Sequence, residues 1–122
     1  MLVDRPQLDV TTTEGRGDAE GWVVVRAAGE LDLATVEVLT NHITRLAVTR
    51  RSPRVVLDLA DLRFCDSSGL SALIRCHRRL RAATGALVLS GLTGQPLELL
   101  TRTGLDGLFV LAPGPDEFRP EH

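Results

Sequence analysis

The run from Val55 to Leu80 admits few folds. Val55-Val56-Leu57-Asp58-Leu59 is apolar enough for a sheet interior, and its two valines suit a pleated strand. A loop through Asp61 and Asp66 follows. Apolar side chains then recur at Leu70, Leu73, Ile74 and Leu80, with His77 among them, close to one face of a 3.6-residue period. This spacing predicts a helix over Ser68–Ala83, with Gly85 as its C-terminal stop. At the transition stands Asp66-Ser67-Ser68-Gly69, whose small polar residues suit the cap of a first turn. A hydroxyl there is exposed, and the unpaired amides of a helix start favour negative charge placed on it. The position is suited to hold a phosphate.

The rest of the chain repeats the alternation of strand and helix. Leu8, Val10 and Thr12 alternate as in a first strand, and Gly15 and Gly17 suit a wide turn. Trp22 to Ala28 reads as a second strand forming a hairpin with the first, broken by Gly29. Asp32 is the candidate N-cap of a helix running to about Thr49, with Leu33, Val36, Leu39, Ile43, Leu46 and Ala47 on its apolar face. Pro53 ends that region. Ala86–Ser90 is a further strand, Gln95–Thr103 a shorter helix and Leu108–Leu111 an edge strand. Strands alternating with helices predict an α/β fold with parallel strand pairs and helical cover. The expected organisation is one domain: an N-terminal segment over 1–20 with a first strand, a core over 21–111, and a loose tail over 112–122.

Composition excludes several classes. The 122 residues are 43% hydrophobic and 25% charged, as in an ordinary globular domain. No apolar run approaches the ~20 residues of a membrane span. Met1 to Pro6 lacks a basic start followed by an apolar stretch, so a cytoplasmic location without membrane contact is expected. Net charge is −2, with no aromatic-and-basic patch, which argues against direct nucleic-acid binding. All 14 positive charges are arginine, and the lack of lysine removes Schiff-base and Walker-type chemistry. Cys65, Cys76, His42, His77 and His122 show no metal-ligand spacing, and no cofactor is implied. The two cysteines read as small, partly buried thiols.

The run Asp66-Ser67-Ser68-Gly69-Leu70, preceded by Val-Val-Leu-Asp-Leu and an Asp-Leu turn, resembles that of bacterial anti-sigma factor antagonists. These are single-domain members of the STAS superfamily, which they share with the tails of sulfate transporters. Gly29-Glu30-Leu31-Asp32 and Gly104-Leu105 before Leu108-Phe109-Val110 match the same family, in order and at fitting spacing. The resemblance covers roughly Gly21 to Leu111. It implies a small mixed β-sheet of four to five strands packed against several α-helices. It also implies a function: the unphosphorylated protein binds an anti-sigma factor that is a serine kinase and so releases a sigma factor. Phosphorylation of Ser67 switches binding off, and a PP2C-type serine phosphatase restores it. The resemblance places the Asp32 loop beside the serine loop, so Asp32, Asp66, Ser67, Ser68 and Gly69 are the candidate partner-binding residues.

Each of these residues also has a structural reading. Asp32 and Asp66 suit caps, Ser68 a locally bonded hydroxyl in the first turn, and Gly69 the room that a partner's backbone needs. A serine hydrolase would need a base within reach of Ser67 and a third orienting group. His77 lies roughly 15 Å along the same helix at 1.5 Å per residue. His42 is expected on the first helix, pointing to solvent, and no enzymatic activity is expected. The basic run Arg75, Arg78, Arg79 and Arg81 reads as a solvated face favoured by the helix dipole. The alternative reading keeps the fold as a scaffold or accessory subunit of a transporter or signalling assembly, with Ser67 unmodified.

Overall fold

The computed structural model describes residues 7–117. In chain order its elements are β1 (Leu8–Glu14), β2 (Val23–Leu31), α1 (Val36–Thr49), β3 (Arg54–Asp58), β4 (Leu62–Cys65), α2 (Ser67–Ala82), β5 (Ala86–Ser90), α3 (Gly94–Arg102) and β6 (Val110–Ala112). Single 3-10 turns lie at Gly17–Ala19 and Leu105–Gly107. The mixed sheet has the order β1-β2-β3-β5-β6. β4 pairs with the far end of β2, β1 and β2 are antiparallel, and every other pair is parallel.

Alternation along the strands divides the core. Val23, Val25, Ala27 and Leu31 on β2, with Val55 and Leu57 on β3, face α1 and α2. Those helices contribute Leu39, Ile43, Leu46, Leu70, Leu73, Cys76 and Leu80. On the opposite face Trp22, Val56 and Val88 form a smaller cluster under Ala19. The α3 helix packs against β4.

The sheet has six strands, one more than the sequence suggested, because Leu62–Cys65 is β4 and not loop. With only four residues, two of them exposed, it carries no two-period hydrophobic signal. Gly29 does not break β2. The strand runs on to Leu31 through a register shift at Gly29 and Glu30, where Gly29 takes φ +124°. A Cβ there would lie 2.0 Å from the Gln7 carbonyl oxygen, so only glycine fits. The α2 helix ends at Ala82, and its left-handed terminal residue is Thr84 (φ 58°) rather than Gly85. Of the described residues after Ala112, Gly114 is buried and bridges to Glu117. Residues 118–122 of the expected tail, and residues 1–6 of the expected N-terminal segment, lie outside the described residues.

His42 also departs from expectation. It is half-buried, and its Nε2 shares a hydrogen bond with Thr12 Oγ1 on β1. Burial, reinforced by Arg45, holds its pKa below the ordinary histidine value.

Candidate functional site

Two loops leave the sheet side by side. β2 and β4 run parallel with Leu31 opposite Cys65, and the Asp66 N–H donates to the Leu31 carbonyl at 3.2 Å. The segment starting at Asp32 therefore emerges next to the one carrying Ser67, at the carboxyl ends of parallel strands. Open α/β sheets commonly place their binding residues there.

Asp66 is the N-cap of α2. Its backbone is extended (φ −109°, ψ −171°), its Oδ1 accepts from the Gly69 N–H at 2.9 Å, and its carbonyl accepts from Leu70 at 3.0 Å. α2 thus starts at Ser67, one residue before the predicted boundary, and Ser67 is its first residue. Its side chain is exposed, and Ser68 is half-buried. The backbone N–H groups of Ser67 and Ser68 precede the first intrahelical bond, so they point out of the helix end at any anion there. Neither hydroxyl has a side-chain hydrogen bond among the described residues, so the expected local bond of Ser68 is not formed.

Gly69 is buried, and its missing side chain serves the fold rather than a partner. A Cβ would fall 2.6 Å from the Leu31 carbonyl oxygen and 2.7 Å from Cys65 Sγ. The room that the sequence suggested for an incoming backbone is filled from inside, by β2 and β4.

Asp32 does not cap α1. The helix begins four residues later at Val36, with Thr35 in the cap position. Residues 32–35 form a separate turn. In it Asp32 Oδ1 accepts from the Ala34 N–H at 3.0 Å, while the buried Thr35 hydroxyl donates to the Glu30 carbonyl at 2.8 Å. The cap chemistry is present, one turn early. Leu33, expected on the buried face, is 77% exposed beside the serine loop. Phe64 on β4 is 40% exposed.

Sequence reasoning missed Gln95. This residue is the second of α3, and its side-chain amide clamps one backbone residue. Oε1 accepts from the Cys65 N–H at 2.8 Å, and Nε2 donates to the Cys65 carbonyl at 2.7 Å. The clamp fixes the residue from which Asp66 and Ser67 project. Thirty residues separate the partners, and no local pattern marks such a pairing. Beneath the loop, burial and then the charge of Asp66 push the Cys65 thiol up to about 12. Cys76 is likewise pushed to about 12 by burial. Both are free and buried, and protonated at neutral pH.

Among the described residues no imidazole meets Ser67: His42 bonds Thr12, and His77 stacks edge-on against Phe109 with centroids 5.5 Å apart. His122 lies outside the described residues. Among the described residues no three His, Cys, Asp or Glu side chains converge as metal ligands. No described helix is long and apolar enough to cross a membrane.

Residues 10–118 match the family model of the STAS domain. The chain belongs to the STAS family. An anti-sigma F factor antagonist of Paenibacillus polymyxa is 28% identical over 85 residues, 70% of this chain and 73% of that protein. The crystal structure of an anti-sigma factor antagonist from Mycobacterium paratuberculosis superposes with a TM-score of 0.71 at 30% identity, covering 88% of this chain and 89% of that one. The Bacillus cell fate determinant SpoIIAA, in its phosphorylated form, superposes with a TM-score of 0.63 at 23% identity, covering 86% and 92%. That last likeness concerns the fold. The STAS domain here is a single α/β unit whose serine loop sits at the head of α2.

Proposed function

We propose that this STAS domain is an anti-sigma factor antagonist switched by phosphorylation. Unmodified, the face made by the Asp32 turn and the head of α2 binds an anti-sigma factor that is also a serine kinase, and a sigma factor is released. The kinase uses its ATP to phosphorylate Ser67, the complex separates, and a PP2C-type phosphatase resets the protein. The domain works as a binding protein in the cytoplasm and catalyses nothing itself. The observation that carries this reading is the exposed Ser67 hydroxyl at the first position of α2, beside the Asp32 turn. The antagonists among its relatives support the partner class.

Exposure favours Ser67 over its neighbour as the acceptor. A kinase must bring the γ-phosphate in line with the hydroxyl, and Ser68 is turned partly into the fold. Incubation with the cognate kinase and ATP is expected to label the wild type and Ser68→Ala. Ser67→Ala is expected to lose labelling and keep binding. Label that persists in Ser67→Ala and disappears in Ser68→Ala would assign the site to the second serine.

Asp32 separates two roles. Its Oδ1 holds the 32–35 turn by accepting a hydrogen bond, which an asparagine carbonyl can also accept. Asp32→Asn is therefore expected to unfold like the wild type, within about 0.5 kcal/mol. Its affinity for the kinase is expected to fall by about tenfold, because the charge is gone. Wild-type affinity in this stable variant would reduce Asp32 to a turn-former.

A further inference from the structure

A second concave site lies at the other end of α2. β6 pairs with β5 only from Val88 onward, so among the described residues no strand lies outside Ala86 and Leu87. There the sheet edge and the last turns of α2 enclose a cleft of about 1010 Å³. This is the upper end of the size range of small-molecule sites. Arg78 stands eleven residues beyond Ser67, roughly 16 Å along the helix at 1.5 Å per residue. The cleft therefore does not belong to the serine face.

Its lining is amphipathic and of one charge sign. Among the described residues Arg54, Arg78 and Arg81 border it, and no Asp or Glu does. None of the three takes part in the ion pairs found among the described residues. Arg54 is held over the Trp22 ring, 5.5 Å from its centroid. His77 also lines the cleft, and burial, then Arg81 and Arg78, hold its pKa below the ordinary histidine value. The apolar wall includes Leu108 and Val110, which are 44% and 45% exposed.

We infer that this cleft binds a small organic anion, a phosphate or carboxylate head carried on an apolar body. Guanidinium groups grip either head through paired N–H donors. Water leaves Leu108 and Val110 only if an apolar group follows the head into the cleft. A bare inorganic anion would leave that wall wet, and a neutral hydrocarbon would leave three like charges unmatched.

Trp22 lines the cleft and is the single tryptophan of a chain without tyrosine, so its fluorescence reports occupancy. The probes are octyl phosphate and octanoate, used below their micelle concentrations. Inorganic phosphate tests the head alone and octanol the body alone. At least one of the two amphipathic anions is expected to give a saturable change, and the one that binds identifies the head. Inorganic phosphate and octanol are each expected to bind at least about tenfold more weakly. The double variant Arg78→Gln, Arg81→Gln is expected to lose about tenfold in affinity. Val110→Asp, which adds a carboxylate to the wall, is expected to lose a similar factor. Arg75→Gln, on the same helix outside the cleft, is expected to titrate as the wild type. Circular dichroism checks that each variant is folded. No saturable change with either anion, or equal affinity in the double variant, would overturn the inference. So would an acidic peptide that saturates the signal when neither anion does, since the occupant would then be a protein segment.

Discussion

Phosphoserine at position 67 is expected to weaken binding to the kinase partner by about a hundredfold, equivalent to ~2.8 kcal/mol. Phosphate adds about −1.5 to −2 charges at neutral pH. The group would stand at the head of α2 beside Asp66, with the Asp32 turn next to it. Inside the free protein it is tolerated, because the open N–H groups of Ser67 and Ser68 and the helix dipole favour an anion there. In the proposed complex the same group would meet a surface that must give up its water, and charge that is desolvated without a partner is costly. The proposed switch rests on that difference: the modification is expected to cost the fold little and the interface much. Ser67→Asp carries one charge and no tetrahedral bulk, so it is expected to lose only about tenfold. Calorimetric titration of the kinase against the three forms measures the series. Equal affinity for the phosphorylated and unmodified proteins would remove exclusion at Ser67 as the mechanism.

Gly69→Ala is expected to destabilise the domain by about 2 kcal/mol, in the middle of the range for overpacked sites. Two effects compete. Alanine is the better helix former by ~1 kcal/mol, whereas its Cβ would sit 2.6 Å from the Leu31 carbonyl oxygen and 2.7 Å from Cys65 Sγ. Neither neighbour moves freely. The Leu31 carbonyl accepts the Asp66 N–H, and Cys65 is held through its backbone by Gln95. The first turn of α2 must therefore lift off β2, which displaces Ser67 as well. Kinase binding is expected to weaken along with the loss of stability. Gly107→Ala is the control, since a Cβ there meets nothing within 4 Å. Urea midpoints of the two variants decide the matter. A Gly69→Ala midpoint at or above the wild-type value would show that the helix start shifts without cost.

Both predictions concern one loop, and they separate what is local in it from what is not. Ser67 and the capping role of Asp66 were legible because the signal is contiguous. A polar cap lies between an apolar strand and a 3.6-residue pattern, and the hydrogen bonds of that cap span only three residues. The six principal strands and helices from Val23 to Arg102 were legible for the same reason, to within a few residues at their ends, because each carries its own local signal, an apolar run or a helical period. Leu33 shows where periodicity fails. It continues the spacing of Val36, Leu39 and Ile43, yet the chain is not helical there, and the side chain points to solvent. That turn is held by the Thr35 hydroxyl reaching back to Glu30, which competes with an earlier helix start.

The sequence by itself determined the alternation of elements, the single-domain α/β class and the placement of a serine at a helix head, all of which rest on interactions within a few residues. Only the tertiary structure decided that β4 joins the sheet, that Gly69 is required by Leu31 and Cys65, that Gln95 anchors the serine loop, and that three arginines share one cleft. Each of these depends on residues far apart in the chain meeting across the sheet or along its edge. Such meetings follow from strand order and register, which no local pattern encodes.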